Sequence, residues 1–169
     1  MGVTRLNHAV LYVRSVAESV EFYRNVLGFE PVMEMPGAAF LQAPDSNNDH
    51  DLGLFEIGAA AGPSAAGRQT VGLYHLAWEV DTLTTLAAVA SRLTDAGALV
   101  GATNHGTTKA LYGRDPNGLE FEVCWLVPAE FLDAGTLDSR TQLRALDIDA
   151  EIARYGADTR SGIGVSIPV

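Results

Sequence analysis

The sequence predicts an α+β protein built from a β-α-β-β-β module written twice, and three observations carry that expectation. A β-rich segment with a histidine at its third position occurs twice. A stretch of helical apolar spacing ending in glycine follows each copy. A short apolar strand containing a glutamate closes each copy.

The first strand is Leu6-Asn7-His8-Ala9-Val10-Leu11-Tyr12-Val13, and its counterpart is Leu73-Tyr74-His75-Leu76-Ala77-Trp78-Glu79-Val80, 67 residues on. Val16, Val20, Tyr23 and Leu27 then recur at helical spacing, as do Leu83, Leu86, Val89 and Leu93 in the second copy. Gly28 and Gly97 end the two helices, because glycine closes a helix in left-handed geometry at little cost. The closing strands Leu52-Gly53-Leu54-Phe55-Glu56-Ile57 and Gly118-Leu119-Glu120-Phe121-Glu122-Val123 match at an offset of 66, which pairs Glu56 with Glu122.

The expected organisation is a first module over residues 4–58, a small-residue linker over 59–70, and a second module over 71–127. The linker has no apolar period and should be mobile. Residues 128–169 have no counterpart in the first module. Leu137, Leu143, Leu146 and Ile152 there suggest one or two packing helices before a glycine-rich tail.

Composition narrows the function. The 169 residues are 47% apolar and 19% charged, enough for a buried core. The formal charge of −10 repels phosphate backbones and anionic lipid, and the lysines and arginines form no basic stripe, so neither nucleic acid nor a membrane surface is expected as partner. No secretory leader and no run of about 18 apolar residues is visible, so a cytoplasmic setting is expected. No phosphate-cradling loop is present. Cys124 stands alone, so a metal would have to be held by His, Asp or Glu.

Alternate strand residues share a face, which groups His8 with Leu6 and Val10, and His75 with Leu73 and Ala77. One histidine among apolar neighbours is ordinarily a hydrogen-bonded core residue; two at repeat-equivalent positions point to a shared role. Glu122 faces with Glu120 and Cys124 while Phe121 and Val123 pack, and a carboxylate turned inward is costly unless paired or bound to a cation. Two imidazoles and one carboxylate form a facial triad suited to Fe(II) or Mn(II), with positions left open for substrate.

Asp115-Pro116-Asn117-Gly118-Leu119-Glu120-Phe121-Glu122 resembles the D-P-x-G-x-x-x-E signature of the glyoxalase, bleomycin-resistance and extradiol-dioxygenase superfamily, the vicinal oxygen chelate group. Asn7-His8-Ala9-Val10 followed by Glu21-Phe22-Tyr23-Arg24-Asn25-Val26-Leu27-Gly28-Phe29 is similar to its first strand and helix, and the resemblance covers about residues 4 to 127. It implies an open eight-stranded mixed β-barrel around a metal site, here followed by a C-terminal helical extension.

Resemblance to the small catechol 2,3-dioxygenase-like members implies a metal-dependent ring-cleaving dioxygenase. His8, His75 and Glu122 would then hold the metal, His50 would act as acid-base histidine, and His105 and Tyr112 would contact substrate. Fe(II) is the expected ion, with Mn(II), Ni(II), Zn(II) and Co(II) as alternatives. The partners would be a small aromatic or vicinally oxygenated substrate and dioxygen (O2). The modules could pair within one chain or across a homodimer. Tyr112 lies ten residues before Glu122, a spacing that lets a hairpin over the 115–118 turn fold them face to face. A rival reading is a glyoxalase I-like isomerase or lyase in which Glu56 is a fourth ligand. A third is a non-catalytic protein of the same fold that sequesters small molecules. Ser64 and Ser91 lack a base at motif spacing, Cys124 reads as a small buried residue, and Glu120 as a rim residue.

Overall fold

The computed structural model describes residues 2–3 and 5–162; the start of the first module at Thr4 and the tail over 163–169 lie outside the described residues. The chain divides into two compact units: residues 1–65 with 115–119, and residues 66–114 with 120–169.

In the first unit β1 (Ala9–Val13), α1 (Val16–Leu27), β2 (Glu30–Met35), β3 (Ala38–Gln42) and β4 (Leu52–Glu56) follow in order. The sheet order is β1-β4-β3-β2, with β1 parallel to β4 and the other neighbours antiparallel. Ser15 starts α1 by accepting the Glu18 amide at 3.3 Å, and Gly28 (φ 78°) ends it. Val16, Val20, Tyr23 and Val26 are buried on one side of the helix, with Leu11, Val13, Leu41, Leu52 and Leu54 of the strands. Val26 takes the place in this core that the spacing gave to Leu27, which is half-buried.

The 115–119 turn belongs to this unit. Asp115 Oδ1 accepts the amides of Asn117 and Leu119, both at 2.8 Å, and the Asn117 side chain accepts the Arg14 amide at 2.8 Å. The Tyr23 hydroxyl donates to Asp115 at 3.4 Å; burial first, and then this carboxylate, pushes the Tyr23 phenol well above its ordinary value.

The second unit repeats the order with β5 (Leu76–Glu79), α2 (Leu83–Asp95), β6 (Leu99–Asn104), β7 (Thr108–Arg114) and β8 (Glu120–Leu126). Thr82 caps α2 by accepting the Thr85 amide, and Gly97 (φ 63°) lies just past its end. Leu83, Leu86, Val89 and Leu93 are buried, as are Leu111, Phe121, Val123 and Trp125. The sheet runs β5-β8-β7-β6-β9, in which β9 is the two-residue strand Arg144–Ala145.

The extension is thus not purely helical. It holds 3-10 turns at Ala129–Phe131 and Ser139–Thr141, helices α3 (Ala134–Asp138) and α4 (Ile148–Tyr155), and an edge strand for the second sheet. Leu143, read as a packing position, is 77% exposed. Among the described residues the strands number nine and form two sheets, neither closed into a barrel. The linker residues are largely exposed and irregular, with one isolated bridge between Gly67 and Thr70.

Candidate functional site

His75 stands immediately before β5, with its side chain 24% exposed. The parallel register sets Ala77 of β5 beside Glu122 of β8, and His75 lies two residues before Ala77, so its side chain returns to the Glu122 face. His75 Nε2 and Glu122 Oε2 are 3.1 Å apart, while the buried Nδ1 of His75 has no hydrogen-bond partner.

Across the hairpin Tyr112 of β7 is the direct partner of Glu122, as the ten-residue spacing anticipates. The Tyr112 hydroxyl is 2.9 Å from His105 Nε2, and its ring centroid is 5.9 Å from that of His75. Burial first, then the charge of Glu122, pushes the Tyr112 phenol up to about 12, so it keeps its proton throughout the neutral range. The second unit therefore gathers His75, Glu122, Tyr112 and His105 on one face of its sheet. Phe121, Val123 and Trp125 alternate onto the opposite, buried face.

His8 and His50 are brought together in the first unit. His8 precedes β1 and its Nδ1 is 2.8 Å from Asn7 Oδ1. His50 precedes β4; its ring lies 4.6 Å from the His8 ring and 5.0 Å from Phe40 in edge contact. Its Nδ1 is 2.9 Å from an Asp49 carboxylate oxygen, and only 19% of its side chain is exposed. It is a held histidine rather than a freely solvated loop residue. The Phe40 wall was not among the residues the sequence singled out, although its alternation with Ala39 and Leu41 puts it on the face opposite the core.

Glu56 is placed differently. Its Oε2 accepts the Val16 amide at 2.9 Å, at the start of α1. Sheet register also separates it from Glu122. Ala9, which follows His8, pairs with Leu52, whereas Leu76, which follows His75, pairs with Phe121. Counting one residue on from each partner, the position equivalent to Glu122 is Gly53. The offset of 66 that equated Glu56 with Glu122 is a match of residue strings, not of strand positions.

Two donor atoms that each sit about 2.1 Å from one ion lie about 3.0 Å apart at a right angle and about 3.4 Å apart at the tetrahedral angle. The 3.1 Å between His75 and Glu122 fits two adjacent ligands of one cation. The unpartnered Nδ1 is a second sign of an imidazole whose surroundings are incomplete. Within neither unit, among the described residues, do three or more His, Cys, Asp or Glu side chains gather as a cation site.

The remaining polar groups near this face have ordinary explanations. Glu120 pairs with Arg114 at 2.6 Å. Burial, then Glu122 and Glu79, raises the Cys124 thiol to about 12, far from a reactive thiolate. No described helix is long and apolar enough to cross a membrane.

Comparison with known proteins agrees with the topology. Residues 5–123 match the family model of the Glyoxalase/Bleomycin resistance protein/Dioxygenase superfamily. A catechol-2,3-dioxygenase of Bacillus subtilis (strain 168) is 32% identical over 123 residues, 71% of this chain and 41% of the relative. Biphenyl-2,3-diol 1,2-dioxygenase 3 of Rhodococcus globerulus is 35% identical over 125 residues, 70% of this chain and 62% of the relative. The chain thus spans less than two thirds of the length of either curated relative. A glyoxylase/bleomycin resistance protein/dioxygenase domain from Frankia sp. EAN1pec superposes with a TM-score of 0.63 at 21% identity, covering 76% of this chain and 96% of that one.

Proposed function

The chain belongs to the glyoxalase/bleomycin resistance protein/dioxygenase superfamily, and on that premise we propose that it is a non-haem, metal-dependent extradiol-type dioxygenase cleaving a catechol-like aromatic. In this reading His8, His75 and Glu122 hold one divalent metal, Fe(II) before Mn(II), and dioxygen is the co-substrate. When bound, the metal would lower the cost of ionising a diol and chelate its two oxygens. The reading requires His8, from the first unit, to join His75 and Glu122 on one ion, within one chain or across two copies. It also takes the enzyme to be cytoplasmic.

The observation that carries the proposal is the His105–Tyr112 hydrogen bond on the same sheet face as the His75–Glu122 pair. A phenol that keeps its proton and an imidazole at 2.9 Å form a preorganised unit that can give a hydrogen bond to a substrate oxygen. His50, held between Phe40, His8 and Asp49, is suited to take a proton from the diol and return it as the ring opens. A proton-shifting isomerase with four ligands has no obvious use for these groups. It would also need Glu56, whose Oε2 accepts the Val16 amide at 2.9 Å. The two curated relatives, both named dioxygenases of aromatic diols, support the same reading.

The test is anaerobic loading with Fe(II) or Mn(II), followed by aerobic screening of substituted catechols for coloured ring-opened products. Turnover by at least one catechol is expected. Failure of every catechol with fully loaded protein would overturn the proposal, and thiohemiacetal isomerisation with nickel or zinc would replace it with the isomerase reading.

A further inference from the structure

His105 sits in the tight connection between β6 and β7, and that connection is gripped by the C-terminal extension. Lys109 of β7 is 1% exposed; its ammonium group donates to Asn104 Oδ1 at 2.9 Å and to the Gly106 carbonyl at 2.8 Å, and it forms an ion pair with Glu151 Oε2 at 3.1 Å. Glu151, buried on α4, accepts from Asn104 Nδ2 at 2.7 Å through its other oxygen, so one carboxylate ties down both side chains. Asn104 Oδ1 in turn accepts the Gly106 amide at 2.9 Å. The result is a closed network from α4 to the residues on both sides of His105.

The connection is also closely packed at Gly106. Gly106 has φ +77°, and a Cβ built there would lie 2.8 Å from the Thr136 carbonyl and 3.0 Å from the Arg140 amide, besides meeting Ser139 Oγ. Thr136 belongs to α3; Ser139 and Arg140 belong to the 3-10 turn after it. The extension thus packs on the His105 connection through two of its elements, α4 and α3 with the turn after it, while Nε2 of His105 meets the Tyr112 hydroxyl at 2.9 Å.

We propose that the C-terminal extension positions the His105–Tyr112 pair, with Glu151 acting through Lys109 and Asn104 as the positioning residue. This rests on the dioxygenase reading for its catalytic consequence but not for its structural content. A plain staple would tie α4 to the sheet and leave His105 indifferent to the ion pair. A positioning device makes the imidazole depend on it.

Deleting one partner alone leaves the other charge buried, which is strongly destabilising, whereas replacing both by apolar residues of similar volume is often neutral or stabilising. The decisive variant is therefore Lys109→Met/Glu151→Leu in the full chain, with Lys109→Leu/Glu151→Met as a second variant that also removes both charges. Imidazole nitrogen resonances of 15N-histidine protein are recorded for both. The expected result is displaced or broadened His105 signals with those of His50 unchanged, in protein whose far-ultraviolet spectrum matches the parent. His105 signals coincident with the parent's in either folded variant would overturn the proposal.

In the turnover assay a released pair should lower kcat on the order of 10²-fold, the scale of about 1 Å of misplacement, with KM and metal content retained. Loss of metal together with kcat would count against a role confined to His105. A parent that turns over no catechol, yet whose His105 is released by the double variant, would sink the dioxygenase reading alone.

Discussion

Replacing Glu56 by alanine separates the three-ligand from the four-ligand site, because the structure gives that carboxylate another task. Its Oε2 accepts the Val16 amide at 2.9 Å, a first-turn donor of α1 that no carbonyl within the helix can reach. Loss of a side-chain acceptor at a helix start costs about 0.5–2 kcal/mol. Glu56 is exposed, so water can take over the Val16 amide, and Ser15 still accepts from Glu18. The expected cost is therefore in the lower half of that range, about 0.5–1 kcal/mol. For a chain of 169 residues that lowers Tm by about 1–4 °C. Thermal unfolding followed by circular dichroism, with metal content measured on the same preparation, is the assay. The metal-to-protein ratio should stay at the parent's value. Loss of metal with an unchanged Tm would refute the capping assignment and revive Glu56 as a ligand.

Four further predictions rest on other contacts in the structure. Tyr112→Phe should retain metal and lose activity on the order of 10²-fold, the scale for one removed donor to a developing charge. Since the Tyr112 phenol is pushed to about 12, the parent's pH–rate profile should show no break from it at neutral or mildly alkaline pH. Gly113→Ala should destabilise by about 1–3 kcal/mol in urea unfolding, because a Cβ there would lie 2.5 Å from the Phe121 ring and 3.0 Å from Leu93. The Asp81 carboxyl is held below its ordinary value chiefly by the Thr85 hydroxyl at 2.6 Å, against burial, with Thr82 and Arg160 adding to it. A depressed folded value gives stability that is present above the unfolded value of about 3.9 and is lost as pH falls through the folded one. Asp81→Asn should therefore lower Tm at pH 7, and by progressively less as the pH falls below the unfolded value of about 3.9; a difference that stays constant through that acid range would contradict this.

Much of this was legible in the sequence where a period or a turn constrained it. The two helices followed from apolar residues at helical spacing, and the glycines after them take positive φ as expected. The Tyr112–Glu122 pairing followed from a turn whose aspartate, proline, asparagine and glycine leave few ways to reverse the chain.

The Glu56 equivalence failed for a physical reason. Short apolar strands resemble one another under a slide of a few residues, and only backbone pairing fixes which residue stands beside which. The buried Lys109 has no signal in composition or net charge, which report only how charges are distributed over the whole chain. Its parity with Leu111 and Gly113, on the core side of β7, was the available signal. Its partner Glu151 lies 42 residues away in an extension without a repeat, where no local pattern could join them. Strand β9, two residues long, is too short to show any period.

The central claim is that His8 completes the coordination begun by His75 and Glu122. Metal analysis of anaerobically purified protein, beside His8→Ala and Glu122→Ala, tests it most directly. One iron or manganese per chain is expected in the parent, with little or none in either variant. A His8→Ala protein that keeps the parent's full complement of metal would contradict the account.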